Sequence, residues 1–224
     1  MFGQAGGYRK MKKTIFWGSL LFFALLAVMV NSQLLETYDR SIILFFEKIR
    51  TGFFNGFFYL FTEMGSIKTL LPAAVLISIG LAVKRHYWEA CFFMLAFWGS
   101  RGANHLLKGM FERERPAFNS LIEAGGYSFP SGHAMNSTVF FGFLFYLFIY
   151  VLHKGNNHFT AWRLTVIVLV TLIAVSRVYL GVHYLTDVIA GACAGLLFLG
   201  LVVYLYRFVV SRKSLRQQAM GKNE

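Results

Sequence analysis

The chain is 224 residues long, 57% hydrophobic and 18% aromatic, with only 14% charged residues and a formal net charge of +12. So apolar a composition excludes an ordinary water-soluble domain and points to a polytopic membrane protein. The positive charge does not mark a nucleic-acid binder, because Lys and Arg fall in short clusters between apolar runs and form no basic face interleaved with aromatics.

A membrane span needs about 20 mainly apolar residues. The first candidate, Thr14 to Asn31, follows Arg9, Lys10, Lys12 and Lys13. It exceeds the roughly 7 to 15 residues of a secretory h-region, so it reads as an uncleaved anchor rather than a signal peptide. From Glu36 to Gly65 the chain is aromatic-rich and interrupted by Gly52 and Gly56. This stretch is too polar for a clean span and too apolar for a free loop, and it reads as short helices in the outer interface. A seventh, kinked span is the alternative. Further spans are expected at about 66–83, 87–107, 133–152, 162–177 and 186–210. The predicted fold is therefore all-α: one membrane-embedded domain over 1–224, with six transmembrane helices plus short interfacial helices on the outer side. Cys91 and Cys193 lie inside apolar runs, as small buried hydrophobes do, and suggest neither a disulfide framework nor a metal site.

Basic residues set the orientation. The amino end, the Lys84-Arg85 link, the Lys154 to Arg163 link and the tail with Arg207, Arg212, Lys213 and Arg216 share one side, which the positive-inside rule makes cytoplasmic. The connections 32–65, 108–132 and 178–185 then lie outside.

Three polar clusters fall in or beside those outer connections. The first is Lys108 to Pro116, with Arg101 and His105 on the same helical face as Lys108; Lys108 alone is equally explained as a snorkelling helix end. The second is Pro130-Ser131-Gly132-His133 ahead of an apolar run. Taken alone this is a helix cap, but a helix start also offers free N–H groups to an anion, Gly132 permits close approach, and His133 sits beside it. The third is Ser176-Arg177 with His183 and Asp187. At a spacing of four, a histidine and a carboxylate share one helix face, so Asp187 can hold one ring nitrogen and leave the other free; a structural ion pair would look the same. Together the clusters offer Lys108, Arg115 and Arg177 as cations, the Ser131 hydroxyl, a helix start, the histidines His133 and His183 and the orienting carboxylate of Asp187, the inventory for phosphoryl transfer. An anion filter has no evident use for the His183–Asp187 pair. The residues alone do not say which histidine attacks.

Lys108-x6-Arg115-Pro116, Pro130-Ser131-Gly132-His133 and Ser176-Arg177-x5-His183-x3-Asp187 resemble the three-part signature of the type 2 phosphatidic acid phosphatases, lipid phosphate phosphatases that share their site with vanadium haloperoxidases. The resemblance implies that His183 attacks phosphorus and becomes a phosphohistidine, Asp187 orients it, and His133 protonates the leaving alkoxide and then activates water. It assigns Lys108, Arg115, Ser131, Gly132 and Arg177 to the phosphate oxygens, and implies no metal or other cofactor. The expected partner is a membrane lipid in the bilayer: phosphatidylglycerophosphate, phosphatidate or an isoprenoid diphosphate such as undecaprenyl diphosphate. Transfer to another lipid or a sugar instead of water is the alternative reaction. The expected location is a bacterial inner membrane, multi-pass, with the active site facing outward. Gly191-Ala-Cys-Ala-Gly195 reads as close helix packing within the bundle, or alternatively a dimer contact.

Overall fold

The computed structural model describes residues 4–152 and 159–220, and side chains over 13–149 and 160–210. Among these residues eight α-helices follow in order: α1 Gln4–Asn31, α2 Glu36–Lys48, α3 Gly52–Met64, α4 Ile67–Val83, α5 Tyr87–Phe111, α6 Gly132–Tyr146, α7 Phe159–Tyr179 and α8 Leu185–Met220. A π-helical stretch, Leu147–Leu152, continues α6. Among the described residues there is no strand.

Four of the described segments are long and apolar enough to cross a membrane: Lys13–Asn31, Gly132–Ile149, Thr160–Tyr179 and Leu185–Val210. A fifth arises if α3 and α4, which meet at a 43° bend, form one broken span. Helix α4 alone has 17 residues. Helix α5 has 25, which at about 1.5 Å per residue is ample length, but Arg101, Asn104, His105 and Lys108 dilute its apolar character. The stretch 36–65, expected to be short helices, contains α2 and α3. Gly52 opens α3 rather than breaking it, behind a Thr51 cap whose side chain accepts from Phe54 N–H at 3.3 Å. Gly56 lies mid-helix.

Helix α6 is the centre of the bundle, packed against α5, α7 and α8. Its side facing α5 builds the main core, where Phe93, Phe97, Val139, Phe140 and Phe143 are buried with Tyr146, Val202 and Tyr206. Helix α1 packs along α8: Leu26 and Phe23 meet Ala190 and Phe129, while Phe16 lies against Gly200. The two helices are therefore antiparallel and α1 belongs to the bundle. Gly191 and Gly195 face α6 backbone and side chains, so the small-residue stripe is used inside the chain. Cys193 is buried there, but Cys91 is exposed; the expectation of burial fails for it because its face of α5 points away from the bundle.

The connectivity brings the C-termini of α5 and α7 and the N-termini of α6 and α8 to one end. Lys84, Arg85, Arg163 and Arg207 are at the other.

Candidate active site

The site is assembled where these four helix ends meet. Ser131 N–H donates to the Asp187 carbonyl at 2.9 Å, which ties the start of α6 to the first turn of α8. His183 is in the turn before α8, not on the helix, so it meets Asp187 otherwise than across a shared helix face. The cause is a cap. Asp187 is the third residue of α8, and its Oδ2 accepts the Tyr184 N–H at 2.9 Å, the reaching-back half of a capping box. That oxygen lies 3.3 Å from His183 Nδ1 and also accepts from the Ser128 hydroxyl.

This arrangement fixes the tautomer. With Nδ1 facing a carboxylate, the proton belongs on Nδ1 and Nε2 presents its lone pair. Nε2 faces Arg115 Nη1 at 3.2 Å. His183 is 2% exposed, and this burial, only partly offset by Asp187, lowers its pKa from the usual 6.5 to about 4. The imidazole is thus neutral at physiological pH.

The cations come from three elements. Arg115 donates to the carbonyls of Val182 (2.7 Å), Gly126 (2.9 Å) and Gly125 (2.9 Å), and Lys108 Nζ donates to the Tyr127 carbonyl. Lys108 is in the last turn of α5, which runs to Phe111 and past the predicted end. Burial lowers the pKa of Arg115. Arg177, 5% exposed, donates from Nη1 to Thr62 Oγ1 at 2.5 Å, while its Nε has no partner. Ser131 Oγ is likewise buried without a partner. Leaving a buried polar group unpaired costs about 1–3 kcal/mol, so two of them beside this cation cluster suit a bound oxyanion. Lys108 feels the charges of Arg115, Asp187 and Arg177.

His133, the second residue of α6, lies within electrostatic range of Arg177, His183, Arg101 and Arg115. Its ring packs on the α3–α4 bend: a Cβ on Gly65 would lie 3.2 Å from His133 Cδ2. Gly132 has a steric reason as well as the expected one, since a Cβ there would lie 2.8 Å from Asn104 Oδ1. Asn104 in turn donates to the Pro130 carbonyl at 3.1 Å. All eight predicted site residues are thus at one end of the bundle. His105, expected on the same face as Lys108, is exposed. Among the described residues no group of three His, Cys, Asp or Glu could hold a metal.

Sequence reasoning missed a second layer. Arg113 Nη1 donates to Asp187 Oδ1 (2.6 Å) and Thr186 Oγ1 (2.8 Å), and its Nη2 to Asp39 Oδ2 (2.9 Å). Asp39, on α2 and 1% exposed, also accepts from Thr186 N–H at 3.1 Å. Burial opposes the charge on Arg113, but Asp187 and Asp39 outweigh it and its pKa is raised.

Residues 86–211 match the PAP2 superfamily. The chain belongs to that superfamily. It is 34% identical over 182 residues to phosphatidylglycerophosphatase B of Bacillus subtilis, covering 81% of this chain and 90% of the relative. Lipid A 4'-phosphatase of Porphyromonas gingivalis is 28% identical over 78% of this chain and 75% of its own. Among solved structures, the transmembrane PAP2-type phosphatidylglycerolphosphate phosphatase of Bacillus subtilis superposes with a TM-score of 0.79 at 32% identity, covering 86% of this chain and 96% of that one. The PAP2 match begins at His86 and takes in every predicted site residue; Asp39 and Thr62 lie before it.

Proposed function

We propose that this multi-pass lipid phosphate phosphatase hydrolyses phosphatidylglycerophosphate at the extracytoplasmic membrane face, through a phosphohistidine on His183. The carrying observation is the His183 ring, with Nδ1 on Asp187 and Nε2 turned toward Arg115. The choice of substrate follows the activity for which the Bacillus subtilis relative is named, a protein that matches over most of the chain. Phosphatidate and undecaprenyl diphosphate present the same phosphate oxygens and belong in the assay panel.

In the first step the Nε2 lone pair attacks phosphorus and the bond from phosphorus to the lipid oxygen breaks. His133 gives the leaving alkoxide its proton. Asp187 stabilises the positive charge that grows on the ring. Lys108, Arg115, Arg177, the Ser131 hydroxyl and the backbone at Gly132 take the phosphate oxygens, in place of the loop carbonyls that Arg115 and Lys108 now hold. In the second step His133 takes a proton from water, the hydroxide attacks phosphorus, the P–N bond breaks and phosphate leaves. Charge compensation is supplied by side chains, so turnover is expected without added metal.

Six spans are proposed, with α4 and α5 completing the count. Lys84, Arg85, Arg163 and Arg207 lie at the end opposite the site, which supports an inner-membrane orientation with the site outward. The test is phosphate release from micellar lipid phosphates, with EDTA and with vanadate. Release with water as sole acceptor, inhibited by vanadate and indifferent to EDTA, supports hydrolysis. Release only when a second lipid or a sugar is supplied would make the enzyme a phosphotransferase.

A further inference from the structure

Asp187 has two oxygens with separate duties. Oδ2 collects His183 Nδ1, the Ser128 hydroxyl and the Tyr184 N–H. Oδ1 is held by Arg113 alone among the contacts described, at 2.6 Å. A carboxylate gripped at both oxygens cannot rotate about its last torsion, so Arg113 on the far side joins Ser128 and Tyr184 in setting the direction in which Oδ2 faces the imidazole. Arg113 is itself held by Asp39 at 2.9 Å and stacks on the Tyr184 ring, 4.1 Å from its centroid. Asp39 closes the circuit by accepting from both the backbone N–H and the hydroxyl of Thr186, the residue beside Asp187.

Two features argue against an incidental surface pair. Both carboxylates are sealed, Asp39 at 1% and Asp187 at 0% exposed. Two buried carboxylates around one guanidinium leave a net negative charge next to the imidazole, which is what a ring about to become cationic needs. Arg113 moderates that charge. Without it, Asp187 loses the cation bound to its own Oδ1 and would pull a proton onto His183 and remove the lone pair, whatever the charge at Asp39.

Resting on the phosphohistidine reading above, we propose that Arg113 and Asp39 are positioning residues: Arg113 locks Asp187 so that His183 stays neutral and aimed, and Asp39 anchors Arg113 from α2. The short helix α2, outside the PAP2 match, is thereby part of the machinery of turnover.

Four variants test this in purified protein in micelles with phosphatidate as probe: Arg113→Gln, Arg113→Lys, Asp39→Asn and the double Asp39→Asn/Arg113→Gln. Misplacing a reacting group through a lost supporting contact can cost on the order of 100-fold. Arg113→Gln is expected to lose that much in kcat with KM changed less than about threefold, and Arg113→Lys to lose less. The double variant decides the matter. If Arg113 merely neutralises Asp39, removing both restores kcat to within about twofold, and the proposal is overturned. If Arg113 positions Asp187, the double variant stays as impaired as Arg113→Gln.

Selective ¹⁵N-histidine labelling gives a second readout that survives loss of activity, the His183 signal being identified by its absence in His183→Ala. The charged or titratable groups facing His183 are Asp187 on α8, Arg177 on α7, Arg115 on the 112–131 connection and His133 on α6. Arg113→Gln should move the titration midpoint up and Asp39→Asn should not. A common shift in both, as from simple loosening, contradicts the proposal. His183→Ala with normal turnover would overturn the phosphohistidine reading and this inference with it; an inactive His183→Ala beside a fully active Arg113→Gln overturns this inference alone.

Discussion

Gly191 of α8 faces the carbonyl of Ser131: a Cβ on that glycine would lie 2.5 Å from the oxygen and 3.1 Å from the Ala134 Cβ. One turn on, a Cβ on Gly195 would lie 2.8 Å from the Met135 carbonyl. These two glycines set how closely α6 and α8 approach, and so whether the Ser131 N–H reaches the Asp187 carbonyl where the first turns meet.

Gly191→Val should therefore force the helix starts apart. Overpacking of this kind costs about 1–3 kcal/mol, and phosphate release should fall further than stability does, because the Ser131–Asp187 tie is strained directly. Gly80, where a Cβ would meet nothing within 4 Å, is the control. Gly80→Ala should leave phosphate release at the wild-type value and should not lower the thermal unfolding temperature, alanine being favoured over glycine in a helix interior by about 0.5–1 kcal/mol, and equal losses at both positions would show that the contact has no special role.

The depressed His183 pKa gives a pH prediction with a definite sign. In the unfolded chain the imidazole takes a proton near 6.5, and in the folded protein only near 4. Between those values the unfolded state binds more protons, so stability falls as pH drops from about 6.5 to about 4. Thermal unfolding in micelles at pH 7, 5.5 and 4.5 should show this decline, and His183→Asn should reduce its slope. A slope unchanged by the substitution would contradict the assignment.

Thr62 Oγ1 holds Arg177 from the end of α3. Thr62→Val keeps the volume and deletes the acceptor, freeing a guanidinium expected to bind the phosphate. KM for phosphatidate should rise roughly tenfold or more, from about 1.5–3 kcal/mol for one lost hydrogen bond to a charged group, with kcat less affected. Initial-rate kinetics over a range of lipid surface concentrations separates the two constants.

Arg50 caps the end of α7 by donating from Nη2 to the Tyr179 carbonyl at 3.0 Å, and holds Asn119 O with Nη1 at 2.5 Å. Asn119 donates in turn to Glu47 Oε1 at 2.6 Å, and Leu121 N–H to Leu180 O at 3.0 Å. Arg50→Ala should lower stability by about 1–3 kcal/mol, read as a shift in thermal unfolding. It should also expose the 119–122 backbone to amide exchange, and exchange confined to another segment would refute this account.

Much of this architecture is legible in the chain itself. Helices α4 to α8 begin or end within a few residues of their predicted bounds, because long apolar runs have one solution in hydrocarbon, a helix with its backbone bonded internally. The three motifs are legible because each pairs a helix terminus with residues that lipid would not tolerate. The second layer is not. Asp39 meets Arg113 across 74 residues and Thr62 meets Arg177 across 115. Arg113 stands between Glu112 and Glu114, where a local reading sees a solvated charge run. Nothing in periodicity distinguishes Arg113 from its neighbours; only the fold turns it inward. The His183–Asp187 spacing does mark a contact but for another reason, since a capping box joins residues across a helix start that a shared helical face would place within it.

The most direct test is to trap the covalent intermediate. Purified enzyme is mixed with phosphatidate labelled with ³²P in the phosphate, quenched in alkali within the first turnovers, and counted for protein-bound label. An alkali-stable, acid-labile phosphoenzyme is predicted in wild type, and its absence in His183→Ala. Label that persists in His183→Ala, or that is lost in alkali and stable in acid, would contradict it.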